Sequence, residues 1–399
     1  MGWSVYARLS LMMFLEFAVW GAWAPVLFPY LDDMGFSGTE IGWIFSLLWL
    51  GCILSPFIGG QIADRYMPTQ FFLAAVHLLG GVFMFVLAYA EGYWAIFVLM
   101  FIYSMLYAPT LALVNSISFH HLTDVDKQFG WIRVWGTIGW IAAGVGLTAW
   151  RYLQGDNLIK NDLLLMSGGL SVLLGFVCLT LPHTPPKREA TNPLAFLEAL
   201  KMLKDPVFGV FLLISFVVTT ELQFYYLPTA QFLEDIGVEK ASVPAVMTIA
   251  QVAEIITMAG ILFWLLPKIG IRWALAIGVI AWPLRYIVFA IGEPTSLVIA
   301  SLALHGVGYT FFFVVSQIYV DKVAPIDIRA SAQALLTLVT LGIGNFLGTL
   351  FTGVVMDFLK EGDQYRWTPI FLVPCALTVI CAIAFLLFFR ERQGKIDVS

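Results

Sequence analysis

Ionisable side chains inside apolar sequence are where chemistry is expected. Within its long apolar runs this chain places Glu16, Glu221, Glu254, Arg133, His77, His305 and Arg285. A charge at bilayer depth costs about 2.5–3.5 kcal/mol on insertion scales, so such residues are functional candidates by default. Their helical spacing groups them into faces. Arg133, Thr137 and Trp140 follow i, i+4, i+7 and offer a forked cation, a hydroxyl and an aromatic plane. Gln251 and Glu254 set an amide beside a carboxylate at i, i+3. Gln223 and Tyr226 share a second i, i+3 face, and His305 and Tyr309 an i, i+4 face. Together these faces offer a ring slot edged by donors and acceptors, suited to a polar solute with an aromatic part. The plainer alternatives are helix packing for the aromatics and an interhelical ion pair for Arg133 and Glu254. His77, alone among apolar residues, reads as a helix-packing group, and Glu221 points away from the Gln223 face and reads as structural.

The elements that must position these faces are membrane spans. The chain has 399 residues, 60% hydrophobic and 12% charged. A soluble domain carries about 25% charge, so a cytosolic enzyme and a disordered protein are excluded. With 21 Lys+Arg against 26 Asp+Glu there is no basic footprint for nucleic acid. Apolar runs fall at 5–31, 40–63, 70–90, 93–118, 131–150, 163–182, 207–233, 242–266, 272–292, 296–320, 329–356 and 367–389. That predicts an all-α membrane protein with 12 transmembrane helices. The runs are continuous rather than alternating, which excludes a β-barrel. The first run carries Glu16 and lacks a small-residue cleavage site, so it is expected to remain as a span.

Fourteen Lys and Arg lie on the side of the termini and five on the other, which predicts cytoplasmic termini and requires an even number of spans. The longest polar break divides the chain into a six-helix half at 1–182, a cytoplasmic linker at 183–205 and a second six-helix half at 206–399. In the linker, Asn192 is positioned to cap a short amphipathic helix, with Leu194, Leu197, Leu200 and Leu203 towards the membrane and Lys201 and Lys204 near lipid headgroups. Two halves and a linker imply a secondary transporter with a midplane site between the halves.

Between spans 2 and 3 the chain reads Gly59-Gly60-Gln61-Ile62-Ala63-Asp64-Arg65. This resembles the loop signature of the major facilitator superfamily, with Gly60, Asp64 and Arg65 as a conformational motif. The following glycine and basic pair are replaced by Tyr66-Met67-Pro68-Thr69. Longer stretches resemble one branch, the bacterial nucleoside:proton symporters. They are Phe14-Leu15-Glu16-Phe17 with Trp20-Gly21, Tyr107-Ala108-Pro109-Thr110-Leu111, Ile132-Arg133-Val134-Trp135-Gly136-Thr137, Glu221-Leu222-Gln223, Ala281-Trp282 with Leu284-Arg285, and Ile328-Arg329-Ala330-Ser331-Ala332-Gln333. The resemblance implies the major facilitator fold, a nucleoside and protons as partners, and a bacterial inner-membrane protein surrounded by lipid. A monomer is expected.

The resemblance also implies a substrate-binding set of Arg133, Thr137, Trp140, Gln223, Tyr226, Gln251, Glu254, His305 and Tyr309. Several positions depart from the family pattern. Trp140 replaces a Phe, Tyr226 a small amide residue, and His305 and Tyr309 a Tyr and a Phe, which reshapes the pocket edge. Thr310 stands where an Asp is expected and Glu16 where a Gln is expected, so the proton-coupling candidates are Glu254 and Glu16. Cys52, Cys178, Cys375 and Cys381 sit in apolar runs without metal-ligand spacing. Neither a metal nor a cofactor is expected, and GxSxG and HExxH motifs are absent. The competing expectations are a different cargo on the same fold, such as a sugar, a modified nucleoside or an exported amphipathic compound, and a membrane enzyme or receptor.

Overall fold

The computed structural model describes residues 3–57, 66–155, 158–186, 194–390 and 394–396, with the backbone alone at 125–127. The loop residues Gly60, Asp64 and Arg65 and the expected cap Asn192 lie outside the described residues. Among the described residues, ten helical runs are long and apolar enough to cross a membrane. One of them, Val243–Ile291, is 49 residues long and breaks at Gly270, whose φ of 75° suits glycine alone. A shorter apolar helix, Gly38–Leu54, accompanies them. With the break counted, twelve segments emerge: α1 (Trp3–Asp32), α2 (Gly38–Leu54), α3 (Thr69–Ala88), α4 (Tyr93–His121), α5 (Val125–Gln154), α6 (Asp162–Leu179), α7 (Pro206–Tyr226), α8 (243–269), α9 (271–291), α10 (Thr295–Val323), α11 (Ile326–Phe358) and α12 (Trp367–Phe388). In hydrocarbon a chain must satisfy its backbone internally, and apolar runs of this length do so as helices.

Local chemistry sets the ends. Ser37 and Glu40 form a reciprocal capping box at the start of α2. The Asp205 carboxylate accepts from the N–H groups of Val207 and Phe208 at 2.9 and 3.1 Å and starts α7. The expectation that span 7 runs to 233 is corrected: α7 ends at Tyr226 and a separate helix covers Thr229–Asp235. The cause is Pro228, which brings no N–H to continue the ladder. In the linker, a turn of helix at Phe196–Ala199 tightens into a 3₁₀ segment at Leu200–Lys204. Its Leu194, Leu197, Leu200 and Leu203 are all exposed, as an interfacial segment requires.

The chain forms two compact units. The first holds α1–α6 together with Leu233–Thr248. There α3 packs on α6, and α1 on α5 and α6, over a small-residue core of Ala18, Ala22 and Ala143 flanked by Phe14, Met166 and Leu170. The 233–248 segment is tied in by the Ala245 N–H, which donates to Thr148 Oγ1 at 3.0 Å, and by Lys240, 3.1 Å from Asp33. The second unit holds the rest of α7–α12. In it α9 packs on α12, α7 on α11 and α12, and α8 on α10. Three of its helices carry wide π turns, at Thr257–Leu262, Tyr309–Val314 and Leu338–Gly344. Such turns recur at functional sites because they redirect side chains. Rows of exposed apolar residues, among them Leu79, Val82 and Val86 on α3 and Ile380, Ile383 and Leu387 on α12, form surfaces that only lipid can cover.

Candidate functional site

In the second unit, four helices converge on one buried cation. From α9 come Trp282, Arg285, Tyr286 and Phe289, one helical stripe. The Arg285 side chain is fully buried. Its guanidinium carbon lies 4.5 Å from the Tyr225 ring centre, 4.6 Å from Tyr286, 4.9 Å from Trp282 and 5.7 Å from Phe289. Ring faces attract a desolvated cation, which offsets part of its burial cost. Arg285 Nη1 lies 3.1 Å from His305 Nδ1 on α10. Arginine has donors only, so His305 Nδ1 accepts and its Nε2 carries the proton. That Nε2 lies 3.3 Å from the Tyr226 hydroxyl. The hydroxyl oxygen accepts from the imidazole, which leaves the Tyr226 proton free to be donated to a solute. His305 stacks between Tyr225 and Tyr309 at centroid distances of 4.3 and 6.0 Å, both at 25°. Stacked rings with fixed donors at their edges are chemistry that recognises a flat heterocycle.

Glu254 joins this group from α8. It lies within electrostatic range of Tyr225 and Tyr226, one turn from the buried Gln251, whose Oε1 has no hydrogen-bond partner. Gly306 explains the approach of α8 and α10: a Cβ there would meet the backbone of Ala250 at 2.8 Å, so only glycine lets His305 and Glu254 ride on helices this close. Of the residues expected from sequence, the structure brings together Tyr226, Glu254, His305 and Tyr309. Gln223 turns aside: it is buried and its Nε2 donates to Asn345 Oδ1 on α11 at 2.7 Å. Glu221 is also fully buried, and neither carboxylate oxygen has a hydrogen-bond partner among the described residues.

The first unit holds the α5 face. The Arg133 guanidinium lies over Phe17 at 4.3 Å, Thr137 is buried, and Trp140 meets Trp20 edge-on at 5.2 Å. Behind this face sits a second polar cluster. Glu16 is fully buried on α1. Its Oε2 lies 2.9 Å from His77 Nε2 on α3, and its Oε1 accepts from the Thr110 hydroxyl on α4 at 2.6 Å. The Tyr107 hydroxyl donates to the Glu16 carbonyl at 2.7 Å. At 2.9 Å the two atoms stand at hydrogen-bond and ion-pair distance. His77, read from sequence as a satisfied helix-packing group, has Glu16 as that partner, which the spacing alone does not identify. Arg285 was noticed at the edge of a span but left out of the site; the aromatics at i−3, i+1 and i+4 around it were its signal.

Outside the spans, the first unit carries a charged cluster. Arg151 makes a forked contact with Asp162 at 2.9 Å through both Nε and Nη2. Lys240 lies 3.4 Å from Glu234. Burial pushes the Glu234 carboxyl above the ordinary range despite that ammonium. Burial works against the Lys240 ammonium, but Glu234 and Asp33 outweigh it and hold its pKa above the usual lysine value.

The profile of the nucleoside H+ symporter family matches residues 3–394. YegT of Escherichia coli strain K12 is 36% identical over 406 residues, covering 98% of this chain and 95% of that one. The nucleoside permease NupG of the same strain is 29% identical over 415 residues, covering 98% and 97%. The crystal structure of the nucleoside transporter NupG superposes with a TM-score of 0.87 at 28% identity, covering 97% of this chain and all of that one. The D-xylose-proton symporter, with a TM-score of 0.74 at 14% identity over 97% of this chain and 98% of that one, shares the fold. The helical chain adopts the major facilitator fold, and the chain, a transporter rather than an enzyme, belongs to the nucleoside H+ symporter family.

Proposed function

We propose that this protein takes up nucleosides across the bacterial inner membrane by proton symport with alternating access, as a monomer with both termini in the cytoplasm. The two six-helix halves, 1–182 and 206–399, are the moving parts, joined by the linker at 183–205. The observation that carries the cargo assignment is the His305 ring, held between Tyr225 and Tyr309 with its proton fixed on Nε2 by Arg285. A nucleobase meets this stack at its half-buried end, Tyr309, while Tyr226, Gln251 and Glu254 supply partners for base edge and ribose hydroxyls. Arg133, Thr137 and Trp140 are the substrate-binding candidates of the first unit, and Gln223 acts by holding α7 to α11. Glu254 and Glu16 are the proton-coupling candidates, and the loop residues Gly60, Asp64 and Arg65 the conformational motif. His305, Tyr226 and Trp140 stand where the family resemblance implies other side chains, so the order of preference among bases is this chain's own.

Uptake of labelled adenosine, guanosine, cytidine, uridine and xylose by cells expressing the protein, with and without a protonophore, tests the reading. At least one nucleoside should accumulate, xylose should not, and the protonophore should abolish accumulation. Uptake of xylose alone would overturn the cargo assignment. Accumulation indifferent to the protonophore would overturn symport.

A further inference from the structure

We propose that Glu16 and His77 together form the proton-binding site of this transporter, a pair that holds one exchangeable proton between α1, α3 and α4 of the first unit. The inference rests on the symport reading above and names the group that carries the proton in it.

Burial comes first. Glu16 is inaccessible and His77 is 1% exposed. A lone carboxylate or a lone imidazolium in such a place is far too costly to persist unpaired. With one proton between them the pair is neutral overall, either as carboxylate and imidazolium or as carboxylic acid and imidazole. Remove that proton and a carboxylate remains, with the Thr110 hydroxyl at 2.6 Å shared with the Tyr107 carbonyl. A single hydrogen bond does not replace the hydration of an ion. The packed arrangement of α1, α3 and α4 therefore retains its proton, and release requires these helices to admit water. Proton occupancy and helix packing become two readings of one equilibrium, which is what coupling demands.

The contact itself is suited to exchange. The nitrogen and oxygen approach to 2.9 Å, a distance at which a proton can pass between them. Its surroundings are mostly neutral groups. The groups facing it are Tyr103 and Tyr107 from α4, Cys178 from α6 and, beyond Tyr107, Cys52 from α2. From α5 the charged residue is Arg133, engaged over the neighbouring Phe17. Tyrosines and thiols stay neutral in apolar surroundings, so the pair is the place where charge changes. The proton step is simple in its balance: water on one side gives a proton to the carboxylate–imidazole pair, and the same proton leaves to water on the other. Only Glu16, His77 and the solvent take part.

Location adds the link to cargo. On α1, Phe17 follows Glu16 directly, and its ring carries the Arg133 guanidinium. A rearrangement of α1 that opens the Glu16 pair must move the surface on which Arg133 rests.

The test uses the full-length protein in proteoliposomes. Two rates are measured for the nucleoside that wild type transports best among adenosine, guanosine, cytidine and uridine: accumulation driven by an inward proton gradient, and counterflow exchange without a gradient. The readout is the ratio of accumulation to counterflow. Glu16→Gln and His77→Gln should each lower that ratio at least tenfold, and Glu254→Gln should lower it less than threefold. Both variants keeping the wild-type ratio would overturn the inference, as would a tenfold loss confined to Glu254→Gln. Wild type that exchanges but never accumulates also overturns it while leaving the cargo assignment intact. Wild type that does neither removes the transport reading itself. Should one variant fail to insert, proton uptake by detergent-purified wild type and the other variant on nucleoside addition decides: wild type must raise the pH of a weakly buffered solution and the variant must not.

Discussion

In the first unit a buried carboxylate meets a buried imidazole at 2.9 Å. In the second, a buried guanidinium is enclosed by four rings and holds an imidazole by its Nδ1. Both clusters contain a fully buried ion and a histidine, yet they suit different tasks. A carboxylate and an imidazole can trade a proton between them, so their charge state follows their access to water. Arginine keeps its protons under all ordinary conditions. Beside it His305 has one tautomer, so the contact between the two keeps its donor and acceptor. A cargo site benefits from constancy and a coupling site from change. On the two proposals above, the heterocycle falls to the Arg285 cage and the proton to the Glu16 pair.

The sharpest way to break this division is Arg285→Ala. It empties the centre of the cage and removes its ring contacts, and is expected to destabilise the protein by about 3 kcal/mol or more. A fall in the unfolding midpoint in detergent would show it. Arg285→Met fills much of the same volume without the charge. It should fold but bind nucleoside more weakly, because His305 loses the partner that fixes its tautomer. Wild-type affinity in Arg285→Met would remove the cage from the binding account.

Next in size are the charged residues expected to face the cargo. Arg133→Ala and Glu254→Ala should each weaken binding by about 1.5–3 kcal/mol, the scale of hydrogen bonds to charged groups. Gln223→Ala should cost nearer 1 kcal/mol, because its amide is already committed to Asn345. Titration calorimetry with the preferred nucleoside measures all three. A Gln223 effect equal to that of Glu254 would contradict an indirect role.

The smallest expected effect lies outside the spans. Glu234 has its folded pKa raised by burial. Its contribution to stability is therefore fully present below the ordinary glutamate value and is lost as pH rises through the raised folded value. Lys240, raised by its carboxylate partners, contributes up to the ordinary lysine value and fades above it. Glu234→Gln should flatten the pH dependence of the melting temperature from acid to neutral pH, by no more than about 1 kcal/mol for a partly exposed pair. An unchanged profile would show that Glu234 does not titrate differently on folding.

Much of this arrangement was legible in the sequence. Span positions follow from continuous apolar length, because hydrocarbon leaves the backbone no alternative to helix. The faces at 251 and 254 and at 305 and 309 follow from helical spacing, and their residues now ride on α8 and α10, which Gly306 holds together. The pairings between helices were not legible. In a soluble helix the apolar stripe marks the buried face, but α3 is apolar all round, with Leu79 and Val82 exposed and Leu73 and His77 buried. Nothing in its periodicity aims His77 at Glu16. Nor did spacing reveal that Pro228 ends α7 early, or that Arg285 is gathered into rings from α7 as well as its own helix.

The division of labour is tested most directly by measuring nucleoside affinity as a function of pH in wild type and in Glu16→Gln. Linkage requires that a proton which favours cargo binding make affinity fall as pH rises. The account predicts that slope in wild type, a flat profile in Glu16→Gln, and a retained slope in Glu254→Gln. A slope that survives in Glu16→Gln and vanishes in Glu254→Gln would place proton and cargo together in the second unit and contradict it.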